Sequence, residues 1–111
     1  MSKRRRDPRA ATRRDRIKDA QLCAQVREAV SLALASIEDE VLLDLWVIEV
    51  VPAPDSSRLA VRLGASPSVD ALEVRARLER HAGLIRGEVT SAIHRKKTPN
   101  LSYELLAHGD D

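Results

Sequence analysis

Side chains that commonly carry catalysis or bind metal ions are few in this sequence of 111 residues, and they are widely separated. The three histidines, His81, His94 and His108, do not combine with carboxylates at a recognisable metal-site spacing. Cys23 is the only cysteine, which excludes an intramolecular disulfide and a cysteine-based metal site. The glycines are too dispersed to form a phosphate-binding loop. We therefore expect a protein that is not an enzyme and that uses neither a metal ion nor a cofactor.

Positive charge is concentrated at the start of the sequence, although the whole chain has a net charge of only +2. Residues 1–18 contain nine Lys and Arg side chains and two Asp, whereas residues 19–111 contain ten basic and fifteen acidic side chains. Residues 1–14 show no apolar periodicity, so we expect a disordered basic tail that binds a polyanion. Its arginines include Arg4, Arg5, Arg6, Arg13 and Arg14. The alternatives are a solubilising segment, a membrane-surface tail or a nonspecific DNA-binding tail.

A second group of candidate phosphate-binding residues begins at Gly83. Because glycine lacks Cβ, two helices can meet closely there and a phosphate backbone can approach. The helix that begins at this point offers unpaired amides to a phosphate, and Arg86, one turn later, adds a planar set of donors. The basic cluster Arg95, Lys96 and Lys97 follows at the predicted end of the same helix. The alternatives are a simple helix C-cap at Gly83 and a solvated helix terminus at the cluster.

The hydrophobic pattern indicates the elements that must position these residues. Apolar residues at mostly helical spacing predict a first helix over residues 15–36. Residues 43–51 and 59–63 are typical of two strands of a β-hairpin, joined by a Pro-rich turn. In the first strand we expect one face to carry Trp46, Ile48 and Val50, and the other Leu45, Val47, Glu49 and Val51. Trp46 is expected to pack in the core or across the hairpin rather than to stack on a base.

Two more helices and a strand are predicted to follow the hairpin. Ser66 and Pro67 are expected to begin the first of these helices, and Gly83 to interrupt it. The second helix is expected to end at residues 94–97, whose cations favour a helix C-terminus, and before the Thr98-Pro99 step. Residues 101–105 alternate as a final strand.

The predicted order is α-β-β-α-α-β, a single α+β domain with a three-stranded sheet and helices packed on one face. We place this domain at residues 15–107, after the tail of residues 1–14 and before a polar end at residues 108–111. Aromatic residues make up only 2% of the chain, so the core must be aliphatic. No apolar run is long enough to span a membrane, and no secretory signal is recognised, which makes the cytoplasm the expected location.

The sequences around the second and third predicted helices have a distinctive order. Residues 81–86 read HAGLIR, and residues 92–103 read AIHRKKTPNLSY. A glycine followed by two hydrophobic residues and an arginine, then a basic cluster and a Thr-Pro-x-Leu-x-aromatic strand, resembles the ribosome-binding factor A family. Together with the N-terminal helix and the hairpin, the resemblance extends over about residues 13–106.

The resemblance implies a type II KH-like fold and an assembly factor that binds the immature small ribosomal subunit through its ribosomal RNA, without covalent chemistry. Family members usually carry alanine two residues before the kink glycine, where this chain has His81. From these residues and the resemblance, we expect RNA contacts from His81, Gly83, Arg86, the basic cluster and the tail arginines. We also expect a monomer without a small-molecule substrate. The alternatives are a general nucleic-acid-binding KH module and a protein-interaction adaptor that uses the hairpin face.

Overall fold

The computed structural model describes residues 13–106, apart from the side chain of Asp15, and forms four helices and three strands within that range. The elements are α1 (Arg13–Ser36), α2 (Glu40–Leu43), β1 (Trp46–Pro52), β2 (Arg58–Gly64), α3 (Ala71–Arg80), α4 (Ala82–Ala92) and β3 (Asn100–Leu106). This order confirms the predicted α+β class with helices packed on a three-stranded sheet. Arg13 and Arg14, expected in the disordered tail, are helical.

The sheet has the order β1-β2-β3, with β1 antiparallel to β2 and β2 parallel to β3. The parallel pair requires a long crossover, and α3 and α4 supply it. Residues 59, 61 and 63 of β2 face the helices and are buried, whereas Arg62 lies on the opposite, open face. The helices therefore cover one face of the sheet only.

The core is aliphatic, as the composition predicts. Helix α1 packs against β1 and α4, and its buried positions repeat at helical spacing. The most deeply buried side chains include Val26, Val30, Leu42, Leu59, Val61, Leu63, Val74, Ile85 and Val89. Burial of each such side chain contributes about 1.5–3 kcal/mol. Within residues 13–106, no helical segment combines the length and the hydropathy that crossing a bilayer requires.

A β-bulge in β1 overturns the predicted division of this strand into two faces. Val47 pairs with Leu63 and Glu49 pairs with Arg62, so Ile48 has no opposite residue in β2. One extra residue reverses the alternation beyond it. Val47 and Val50 are therefore both buried, although strict alternation places them on opposite faces.

The beginning of α3 also differs from the prediction. Ser66 and Pro67 lie in a turn, and the helix begins at Ala71. Asp70 is the N-cap, because its carboxylate accepts a hydrogen bond from the amide of Leu72. The expected start was wrong because the Ser-Pro pattern is local, whereas the chain first turns at the end of β2 before α3 can pack.

Asp39 caps the short helix α2, which the sequence pattern did not predict. Its carboxylate accepts hydrogen bonds from the amides of Val41 and Leu42 and from Arg77 Nη1, which lies 2.9 Å from each carboxylate oxygen. His81 Nε2 lies 3.5 Å from the same carboxylate. Among the described residues, Asp39 is the one charged side chain that is buried. It therefore joins α2, α3 and the segment between α3 and α4.

The pKa of Asp39 reflects opposing effects. Burial raises it, but the hydrogen bond from Arg77, the two amides and the positive charge of Arg77 together hold it below its ordinary value of 3.8. The ionised form is thus favoured by folding.

Replacing this carboxylate should destabilise the whole domain. We expect Asp39→Ala to lower the melting temperature by at least about 5 °C, because it removes a helix cap and leaves the half-buried Arg77 without its main partner. Thermal unfolding followed by circular dichroism measures this. Asp70→Ala, which removes only the exposed cap of α3, is the matched control and should have a smaller effect. Equal shifts for the two variants would contradict the central role of Asp39.

The stabilisation by Asp39 should also depend on pH. Since its folded-state pKa is lowered, its contribution is fully present above 3.8 and is lost as the pH falls through the folded-state value. The difference in unfolding free energy between the natural chain and Asp39→Asn should therefore be largest near neutral pH and shrink below pH 3.8. Urea unfolding at a series of pH values measures the difference. A difference that stays constant down to acid pH would show that the charge contributes nothing.

Candidate nucleic-acid interface

The break between α3 and α4 lies at His81, not at Gly83. Helix α3 ends at Arg80, His81 has φ −104° and ψ 15°, and α4 begins at Ala82. Gly83 is therefore inside the first turn of α4, and a Cβ added there would meet nothing within 4 Å. The expected position of the break was wrong, and neither helix contact nor backbone conformation requires glycine at this position. What the absent side chain provides is open space beside the backbone.

The amides at the start of α4 are available to a ligand. The first intrahelical hydrogen bond runs from the amide of Ile85 to the carbonyl of His81, so the amides of the preceding residues have no partner within the helix. His81 occupies the N-cap position but makes no side-chain capping hydrogen bond. This helix terminus therefore retains the donors that can bind a phosphate oxygen.

Arg86 holds the segment that precedes β3. Its Nη1 donates to the carbonyl of Pro99 at 3.3 Å, and its Nη2 donates to the carbonyl of Thr98 at 3.4 Å. The hydroxyls of Thr90 and Thr98 lie 2.8 Å apart. These contacts attach residues 98–99 to the side of α4. Arg86 is exposed, yet its donors are already directed at two carbonyls rather than projecting freely into solvent.

The basic cluster does not form the end of α4. The helix ends at Ala92, and Ile93 is extended (φ −115°, ψ 155°) and buried, so its side chain anchors the chain to the core. The prediction that the helix continues through residues 94–97 was therefore wrong, and no basic residue lies in its last turn. Ile93 and the attached Thr98 fix the two ends of the loop. Between them, His94, Arg95, Lys96 and Lys97 are exposed beyond the helix.

This loop borders a groove of about 840 Å³ that the sequence pattern did not predict. The groove is enclosed by the first half of α1, by Ser56 in the β1–β2 turn and by the α4–β3 loop. Lys18 and Arg95 contribute the cations of its lining, and Asp19 contributes the carboxylate. The only sequence signal is the spacing of Lys18, Gln21 and Gln25, which places three polar side chains on one stripe of α1.

We call the resulting surface the basic end, defined by Arg13, Arg14, Lys18, Arg95, Lys96 and Lys97. Lys18 and Arg95 line the same groove, and Arg13 and Arg14 lie about one turn beyond Lys18 along α1. The structure therefore brings together two groups of cations that are separated by most of the sequence.

The opposite end of the molecule is acidic. A pocket beside α2 and α3 is lined by the carboxylates of Glu40, Asp44, Asp70 and Glu73. His81 and Gly83 lie toward this end, because His81 is beside Asp39. The start of α4 is about 15 Å along the helix axis from its end. The structure does not bring His81 and Gly83 together with the basic cluster.

The tail arginines, the open face of the sheet and Trp46 are the remaining features that the sequence analysis singles out. Arg4, Arg5 and Arg6 lie outside the described residues. On the open face of the sheet, Arg62 lies between two carboxylates, with Nη1 at 2.7 Å from Glu49 and Nε at 3.1 Å from Glu104.

Trp46 is half-exposed and lies directly over Gly64, where a Cβ would come within 2.5 Å of the indole. This confirms that Trp46 packs across the hairpin.

A second groove, of about 770 Å³, lies between α3 and the edge strand β3. Its apolar walls include Leu72, Leu78, Tyr103 and Leu105. Burial raises the pKa of Tyr103 to about 12, so its hydroxyl stays protonated at neutral pH. The charged residues at this groove are Arg75, Glu79 and Glu104. Unlike the basic end, this groove has no excess of positive charge.

Comparison with known proteins supports the fold. No protein-family model matches the sequence, and no curated protein matches it significantly. The structure is similar to the crystal structure of ribosome-binding factor A from Thermus thermophilus, with a TM-score of 0.69 and 23% sequence identity. The match covers 78% of this chain and 93% of that chain. The likeness shows a shared arrangement of helices on a three-stranded sheet.

The two glycines of α4 provide a test of backbone contact at the helix break. A Cβ fits at both Gly83 and Gly87, so alanine at either position should stabilise the chain by up to about 1 kcal/mol. If the free amides near Gly83 bind phosphate, Gly83→Ala should weaken RNA binding, because the new methyl group occupies the approach. Gly87→Ala is the matched control, since its amide lies within the helix. RNA affinity by fluorescence anisotropy measures both, and equal affinities for the two variants would remove Gly83 from the interface.

Proposed function

We propose that this protein is a non-catalytic assembly factor that binds ribosomal RNA of the small ribosomal subunit during its late maturation. Two lines of support meet in this proposal. The fold is similar to that of a protein named as a ribosome-binding factor. The basic end combines cations from α1 with those of the α4–β3 loop on one exposed surface. The second observation carries the proposal, because it comes from the side chains of this chain.

The electrostatics of the basic end favour a polyanion. Lys18, Arg95, Lys96 and Lys97 are exposed, and none of them has an ion pair with another residue in the described range. Each phosphate that such a cation neutralises releases counterions, which adds about 0.7–0.9 to the slope of log affinity against log salt. The tail arginines Arg4, Arg5 and Arg6 are proposed to add to this attraction from the same end of the chain as α1.

The acidic end gives the bound protein an orientation. Carboxylates around α2 and at the start of α3 repel phosphates, so the molecule meets RNA with the basic end first. Sequence-independent contacts of this kind set position and direction. His81 and the free amides at the start of α4 lie toward the acidic end, so in this proposal they form only a second, weaker contact. Arg86 acts mainly by fixing the loop that carries the basic cluster.

The proposal also includes a cytoplasmic protein that acts as a monomer and takes no small-molecule substrate. Sedimentation of the tagged protein with immature small subunits, compared with mature subunits, free RNA and free DNA, tests the ribosomal role. Enrichment on immature subunits supports it. Sedimentation with DNA or with any RNA alike would favour a general nucleic-acid-binding module, and no binding to either would favour a protein-interaction adaptor. Crosslinking to small-subunit RNA would then locate the contact.

Reversing two charges of the basic cluster should weaken RNA binding without unfolding the protein. We expect Arg95→Glu with Lys96→Glu to lower RNA affinity by more than about tenfold and to reduce the salt slope by at least about 1.4, since two phosphate contacts are lost. The melting temperature should stay nearly unchanged, because both side chains are exposed in a loop.

The matched control makes the same change of charge on α3. Arg75→Glu with Arg80→Glu alters two exposed cations away from the basic end, so it should affect RNA binding much less. Anisotropy titrations at several salt concentrations measure both variants. A larger effect for the α3 variant would place the RNA along the α3–β3 groove instead of at the basic end.

A further inference from the structure

The groove at the basic end contains more than cations. Besides Lys18 and Arg95, its lining includes two side-chain amides, an imidazole and a hydroxyl, which belong to Gln21, Gln25, His94 and Ser56. Leu22 forms part of the lining and is buried beneath it. A volume of about 840 Å³ lies within the usual range of small-molecule and cofactor sites. A surface that only neutralised phosphates would need none of the amides.

Gln21 and Gln25 are placed to act together. They are four residues apart on α1, which puts them on the same side of the helix one turn apart. Both are exposed, and neither has a side-chain hydrogen bond to another residue of the described range. Each amide carries donors and an acceptor, which is the combination that pairs with the edge of a nucleobase.

His94 approaches the groove from the other side. It is the first exposed residue after the buried Ile93, so the position of its backbone is fixed by the core. A histidine ring is one of the planar groups on which unpaired RNA bases stack. Lys18 and Arg95 lie in the same lining as the amides and the ring, where phosphates on either side of a base can meet them.

We propose that this groove receives an unpaired RNA nucleotide, with its base between His94 and the Gln21–Gln25 pair and its flanking phosphates at Lys18 and Arg95. This inference rests on the proposed RNA-binding function and adds the form of RNA that is bound. In a continuous A-form duplex the faces of the bases are stacked on one another and their Watson–Crick edges are paired, so a loop, a bulge or a single strand is needed to place a whole base between the amides and the His94 ring. Asp19 fits this arrangement, because its carboxylate repels a phosphate but accepts hydrogen bonds from exocyclic amino groups.

The test compares the binding of the full chain to two labelled blunt-ended RNA duplexes, one completely paired and one that differs only by a single bulged adenosine. Fluorescence anisotropy should show about tenfold tighter binding to the RNA with the unpaired base. Gln21→Ala with Gln25→Ala should abolish this preference while leaving the affinity for the completely paired duplex and its salt slope unchanged. His94→Ala should reduce the preference as well. Ser31→Ala, on the same helix but in a different groove, is the control and should retain it.

The outcomes separate this inference from the proposed function. Equal binding of both duplexes by the natural chain, or a preference that survives loss of both glutamines, would overturn the nucleotide site and leave RNA binding intact. No binding of either duplex, at low salt, would overturn both. Because Gln21 and Gln25 are exposed on a helix, alanine is well tolerated there, and an unchanged melting temperature verifies that the variant is folded.

Discussion

The positions of α2 and α3 depend on the hydrogen bonds and the ion pair of one buried carboxylate, that of Asp39. A carboxylate removed from water is costly unless its oxygens are hydrogen-bonded and its charge is compensated. Two amides of α2 and the guanidinium of Arg77 satisfy both conditions, and His81 lies beside them. Arg77 is on α3, and His81 is the residue between α3 and α4, so this one side chain joins α2 to α3 and to the residue at which α3 ends. Helix α4 begins at the next residue, Ala82.

Helix α4 connects the junction at His81 to the proposed site. It packs against α1, and the loop that follows it reaches the first half of α1 at the groove. The acidic and basic ends are therefore held apart by the length of α4. The helix ends at Ala92, earlier than the sequence pattern predicts, and the buried Ile93 fixes the start of the following loop. From this loop Arg95 lines the same groove as Lys18.

Much of the fold was predictable because its signals are local. The period of apolar residues was sufficient for α1, the alternation for β2 and β3, and the Pro-rich segment for the turn. The bulge at Ile48 was not predictable, because it depends on how β1 pairs with β2. The role of Asp39 was not predictable either, because its partner Arg77 is 38 residues away along the chain. The groove could not be predicted from the sequence for the same reason. Its lining comes from three segments that only the tertiary structure brings together.

The two glycines of α4 make the tertiary contacts of this helix decisive. Gly87 lies in the helix interior and costs about 1 kcal/mol of helix propensity relative to alanine, and Gly83 in the first turn adds to this cost, so a free peptide of this sequence would hardly be helical. Burial of Ile85 and Val89, together with the attachments through Arg86 and Thr90, offsets that cost. The same attachments fix residues 98–99 and hence one end of the basic loop. Stability of the helix and placement of the cations are therefore coupled. In the proposed function, the role of Arg86 is therefore to hold residues 98–99, because its donors are directed at their carbonyls.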